Sequence, residues 1–168
     1  MDRGKPNYSN NYNSNNSENS FDFSRIKNGY TDDQGNMKEE FFLNTGEKLA
    51  KYLGEKEEVT NKWGKPEYIA GLSASQLRQF FGEVKALQSK MGKNGEDFAK
   101  VYPFVLMLKS KAAYKEDTKN IPKKFREFID INIELIKKSN KEGKGFETFN
   151  NFALFYEVVI GFFKGATK

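Results

Sequence analysis

The chain has no cysteine and no histidine among its 168 residues. The first absence excludes disulfides, thiolate nucleophiles and Cys-ligated metals. The second removes the side chain most often used as a general base and as a metal ligand. Acid–base chemistry would have to rest on Asp, Glu, Lys or Tyr. There is no Gly-rich phosphate loop, zinc spacing or nucleophile elbow, so no cofactor and no metal is expected, and the chain reads as a binder rather than an enzyme. No run approaches the roughly 20 apolar residues that cross a bilayer. The start, Met1-Asp2-Arg3-Gly4, lacks the apolar core of a signal peptide. The expectation is a cytoplasmic protein with no membrane partner.

Aromatic residues and positive charge are plentiful. Sixteen Phe stand in a chain that is only 37% hydrophobic, the composition of an aromatic core diluted by polar segments. The net charge of +5 is unevenly spread: residues 1–38 balance five bases against five acids, residues 39–72 carry five Lys and seven Glu, and residues 73–168 carry eighteen bases against eleven acids. The positive field belongs to the C-terminal part, where it favours a polyanionic partner without constraining the fold.

Three regions follow. The first twenty residues hold seven Asn and four Ser with no apolar run, too little apolar surface to offset the entropy of ordering. Residues 1–38 therefore read as a disordered tail, first as a solubilising segment with no specific role and, as the alternative, with Phe21, Phe23 and Ile26 as a docking patch once a partner is present. Residues 39–72 read as a short helix, capped by Thr45 and ended by Gly54, followed by a charged connector. Trp63 and Tyr68 of that connector are expected to pack back on the domain.

Residues 73–168 read as a basic helical bundle, making the whole an all-α protein of about five helices. Ser73-Ala74-Ser75-Gln76 has capping-box spacing, and Leu77, Phe80, Phe81, Val84 and Leu87 recur along one helical face. A second helix over about 95–115 buries Phe98, Val101, Tyr102, Val105, Leu108 and Ala112, with a kink or restart at Pro103. A third opens at Pro122 and buries Phe125, Phe128, Ile129, Leu135 and Ile136, with Lys137 and Lys138 complementing its C-terminal dipole. The last, from Phe146 to about Lys164, is apolar in nearly every direction except a seam of Asn150, Glu157 and Lys164. Such a helix must be enclosed, by four partner helices or by three and a second chain.

The basic residues Arg78, Lys85, Lys109, Lys111, Lys115, Lys123, Lys124 and Arg126 spread over three consecutive helices with few acids between them. If those helices lie side by side, their stripes merge into a face that binds phosphates without reading bases. The opposing reading is a set of solvated lysines on a protein–protein adaptor. The carboxylates Asp130 and Glu134, four residues apart, form the best helical pair for a divalent ion or for hydrolysis, but two carboxylates make a poor metal site and a solvated helix face is the stronger reading.

The run Ser75-Gln76-Leu77-Arg78-Gln79-Phe80-Phe81-Gly82-Glu83-Val84-Lys85 resembles the small helical subunit of type III-A CRISPR effector complexes. The likeness continues at Leu108-Lys109-Ser110-Lys111-Ala112-Ala113-Tyr114 and in the aromatic last helix with Glu157 and Lys164-Gly165. It departs at Glu116-Asp117, where the family often has Gly-Arg, and at Phe162-Phe163, where it has Tyr-His. The resemblance implies a non-catalytic subunit, present in more than one copy, that lies along the guide–target duplex and touches neighbouring subunits. Its contacts would be to the RNA backbone, sequence specificity being left to guide–target pairing. Arg78, Lys109, Lys111 and Tyr114 are the matched RNA-binding positions. Helix geometry adds Lys85 and Lys115.

Overall fold

A computed structural model describes residues 20–164. Its elements are α1 (Ser24–Lys27), a 3-10 turn (Glu39–Phe42), α2 (Asn44–Gly54), β1 (Glu57–Thr60), β2 (Pro66–Ile69), α3 (Ala74–Ser89), α4 (Phe98–Asp117), α5 (Lys123–Asn140) and α6 (Gly145–Phe162). The all-α bundle of five substantial helices is as expected, with one small two-stranded ribbon added.

Helix α6 is the centre. It packs on α2, α3, α5 and the 3-10 turn, while α4 lies outside, against α5 and α3. Its all-round apolarity explains this position. Phe149, Phe152, Phe155 and Tyr156 are fully buried together with Phe41, Phe80, Phe125 and Phe128 from the elements around them. The rings meet largely edge to face, as in the pairs Phe80–Phe125 at 5.3 Å and Phe128–Phe152 at 6.0 Å between centroids. That geometry sets the positive ring edge against a negative face and adds to the burial of aromatic area. Tyr156 keeps its hydroxyl satisfied by donating to the Leu77 carbonyl at 2.6 Å. Gly46 lets α2 approach α6, since a Cβ there would stand 2.8 Å from both the Phe41 carbonyl oxygen and Val158 Cγ1. Enclosure is by three helices and a turn, and it leaves Leu154, Glu157 and Phe162 exposed.

The capping box forms as the spacing predicts: the Gln76 amide donates to Ser73 Oγ at 3.1 Å and the Ser73 amide donates to Gln76 Oε1 at 2.9 Å. Pro122 is the N-cap of α5. Helix α4 runs unbroken through Pro103, so the restart expected near Tyr102 is absent. Proline's missing donor falls on the exposed side of α4, where Ala99 is also exposed and water can serve the freed carbonyl. In α2, Thr45 is buried inside the helix and caps nothing, since the helix starts at Asn44 without a side-chain cap.

The expected tail boundary at 38 moves. Residues 1–19 lie outside the described residues, but Phe23, Ile26 and Tyr30 are buried in the main core. The Tyr30 hydroxyl bonds to Asn132 of α5, and its ring packs on Phe41 and Phe155 at 4.8 and 5.5 Å. Asp32 Oδ1 accepts from the amides of Gln34 and Asn36, tightening the turn that carries the chain back toward α2. Three large apolar side chains spaced through a polar stretch suffice to hold this segment, because α5 and α6 offer an aromatic surface for them.

The connector also departs from expectation. β1 and β2 pair antiparallel, Glu57 with Ile69 through Thr60 with Pro66. Trp63 and Tyr68 do not pack back; they are 72% and 68% exposed. Every residue of β2 faces solvent, so the ribbon projects from the bundle. Its base is fixed where Gly71 meets the Gly54 and Glu55 backbone too closely for any side chain.

Candidate nucleic-acid interface

Arg78 and Lys85 stand seven residues apart, two turns along the exposed side of α3. Gly82 between them has no heavy atom within 4 Å of where a Cβ would be, leaving the surface low. Arg78 has no acidic partner among the described residues, and Lys85 Nζ donates to Gln88 Oε1 at 2.7 Å. From α4, Lys111 and Lys115 reach across to α3 and share Glu83, at 3.1 and 3.9 Å. Tyr114 is 69% exposed beside them.

Lys109 turns the other way. It bonds to Glu134 of α5 at 2.8 Å, and this contact raises the lysine pKa and lowers the Glu134 pKa. The six candidate residues therefore divide: Lys111 and Lys115 meet at Glu83 between α3 and α4, with Tyr114 exposed on the same helix, Arg78 and Lys85 line a separate stripe of α3 whose Gln88 bonds to Asn150 of α6, and Lys109 belongs to the α4–α5 seam. Arg126 is likewise engaged, by Glu116 at 2.6 Å and Asp130 at 3.5 Å. The basic stripes of three helices thus do not merge. Acids on the same helices (Glu83, Glu116, Asp130 and Glu134) stand between the cations.

Lys124 is not on the surface. It is 5% exposed, donates to the Glu55 carbonyl at 2.5 Å and sits 5.0 Å from the Tyr52 ring centroid. Burial depresses its pKa. The Asp130–Glu134 pair is occupied by Arg126 and Lys109, which a divalent ion would have to displace; burial raises the Asp130 pKa. Among the described residues no group of acids is arranged for a metal.

One cation escaped the sequence reading. Lys119 has a positive φ of 59° in the α4–α5 turn and is exposed, as is Lys123 at the start of α5. Neither has an acidic partner among the described residues. The Gln76 side chain bonds to the Asn120 carbonyl, which holds this turn against the first turn of α3. Nothing in local composition announces a left-handed lysine.

A family model covers residues 43–168, from the end of the 3-10 turn onward, and it is that of Csm2 Type III-A. The chain belongs to this family. It is thereby a small subunit of a type III-A CRISPR complex. The match includes the ribbon and all five larger helices, and it begins after the Phe23–Tyr30 segment that packs on α5 and α6. No curated protein and no solved structure matches the chain. Among the described residues no helix is long and apolar enough to cross a membrane.

Proposed function

We propose that this Csm2 family member is a non-catalytic subunit that grips the guide–target RNA backbone through cations of α3 and α4 and bridges neighbouring subunits and further copies of itself. The observation that carries the reading is a charge imbalance on these two helices: Lys111 and Lys115 share one carboxylate, Glu83, while Arg78 has no acidic partner among the described residues and Lys85 meets the Gln88 amide. A phosphate arriving there meets a surplus of donors, and the half-exposed Lys111 can reach it while Lys115 stays beside Glu83. Three of the four cations are lysines, point charges that meet phosphate without a planar array for reading bases, which suits contact indifferent to sequence. Tyr114 adds a ring that can lie against a ribose or base.

The bridging half of the proposal rests on α4. Phe104, Met107 and Tyr114 are 55%, 49% and 69% exposed, and with Lys111 they recur at three- and four-residue steps along one stripe. Exposed Leu154 and Phe162 on α6 are a second place where a protein neighbour can sit. These faces favour the adaptor reading, in which protein contacts dominate and the basic face is incidental.

The two readings separate in a binding titration. The full chain and the Arg78→Ala/Lys111→Ala double variant are titrated against two single-stranded RNAs of unrelated sequence over a salt series. The proposal predicts equal loss on both RNAs and a slope shallower by up to about 0.7 per phosphate contact removed. Loss on one RNA alone, or an unchanged slope, contradicts it.

A further inference from the structure

The ribbon between α2 and α3 carries the protein's only tryptophan at its tip. The five residues 61–65 join the strands, and the loop is built rather than slack. Asn61 Oδ1 accepts from the amides of Trp63 and Lys65, both at 3.0 Å, and the Asn61 amide donates to the Lys65 carbonyl at 2.8 Å. Gly64 supplies the positive φ of 72° that closes the turn. These bonds hold Trp63 outward, 72% exposed, with Lys62 Nζ 4.3 Å from its ring centroid. Neither Lys62 nor Lys65 has an acidic partner among the described residues. The stem acids Glu57, Glu58 and Glu67 lie in the paired strands.

Leaving a large indole in water and rigidifying the loop beneath it does nothing for the bundle core. The tip instead has the two features of a single-strand nucleic-acid contact: an aromatic face that any base can stack on, and flanking cations for the backbone. Charge complementarity favours that occupant over a protein, because the tip carries two lysines and no acid. The negative stem confines a phosphate chain to the tip.

Building on the RNA reading above, we propose that residues 61–65 form a second RNA contact, in which the Trp63 indole stacks on an unpaired base and Lys62 and Lys65 meet the adjacent phosphates. The contact differs in kind from that of the α3 and α4 cations. It requires a base free to leave a helix, so it marks single-stranded or distorted RNA rather than a regular duplex.

The test uses the full chain, whose indole emission comes from Trp63 alone. Unlabelled single-stranded oligoadenylate is titrated while emission is followed, and the anisotropy of the same RNA with an end label is measured in parallel. The proposal predicts quenching on the same isotherm as the anisotropy, and weaker quenching with a blunt RNA duplex. Trp63→Ala weakens single-strand binding by about 5-fold to 100-fold, and Trp63→Phe retains part of the affinity. The side chain is exposed, so circular dichroism should show the variant folded. Anisotropy that reports binding while indole emission and the Trp63→Ala affinity stay unchanged overturns the stacking proposal alone, and leaves the tip to a protein neighbour. No anisotropy change at any salt concentration defeats the RNA reading itself, and this proposal with it.

Discussion

Removing residues 1–38 should cripple the fold. The truncation takes away Phe23, Ile26 and Tyr30, which are 8%, 0% and 2% exposed. Full burial of a large apolar side chain is worth about 1.5–3 kcal/mol, so the three together hold about 4.5–9 kcal/mol. Area bookkeeping of this kind is an upper estimate, because an unfolded chain already buries some surface. The loss also strips the buried Asn132 side chain of its Tyr30 hydroxyl and opens Phe41 and Phe155 to water. Domains of ordinary stability have about 5–15 kcal/mol in total. At roughly 2–4 °C per kcal/mol for a chain of this size, the melting temperature should fall by at least about 10 °C, and the cooperative transition should disappear at the upper end. The assay is thermal and urea unfolding followed at the helical circular-dichroism minimum. A control lacking residues 1–19 removes none of these contacts. Coincident transitions for the 1–38 deletion and the intact chain would refute the claim that this segment belongs to the core.

Gly46→Ala should destabilise the bundle by about 1–3 kcal/mol, because the new methyl meets the Phe41 carbonyl and Val158 across the α2–α6 contact; urea unfolding checks it. Tyr156→Phe keeps the ring but loses the 2.6 Å bond to the Leu77 carbonyl, and should cost about 1 kcal/mol in the same experiment. Burial holds the Tyr30 and Tyr156 phenols well above the ordinary value of 10.0. The unfolded chain therefore releases these protons first, so their contribution is complete below pH 10 and is lost above it. A urea midpoint that does not fall from about pH 9 to about pH 11 would contradict this assignment.

The helices were legible because each rests on a local signal that agrees with its packing. The Ser73–Gln76 box starts α3, Pro122 starts α5, and the all-apolar run of α6 demands the centre. The segment 21–38 was misread because its composition is polar on average, while its fate turns on three side chains and on a distant aromatic surface. The ribbon was missed because its strands are four residues each, too short for alternation to stand out, and β2 is exposed on both faces. The charge pattern was readable as a sum but not as geometry. Counting grouped the cations of three helices into one face, whereas residues two apart on a helix, such as Lys109 and Lys111, point in different directions. Only tertiary packing could reveal that Glu83 serves one side and Glu134 the other, or that Lys124 is buried under Tyr52.

The central claim is that this small subunit works on RNA inside its complex. It is tested most directly by affinity purification of the tagged full chain from its native host, followed by native mass spectrometry and sequencing of the bound RNA. The account predicts a multi-subunit assembly that contains guide RNA and more than one copy of the chain, and that sheds the Arg78→Ala/Lys111→Ala variant at lower salt than the unaltered protein. Recovery of the chain with protein neighbours but without RNA, or equal salt resistance of the two forms, would contradict it.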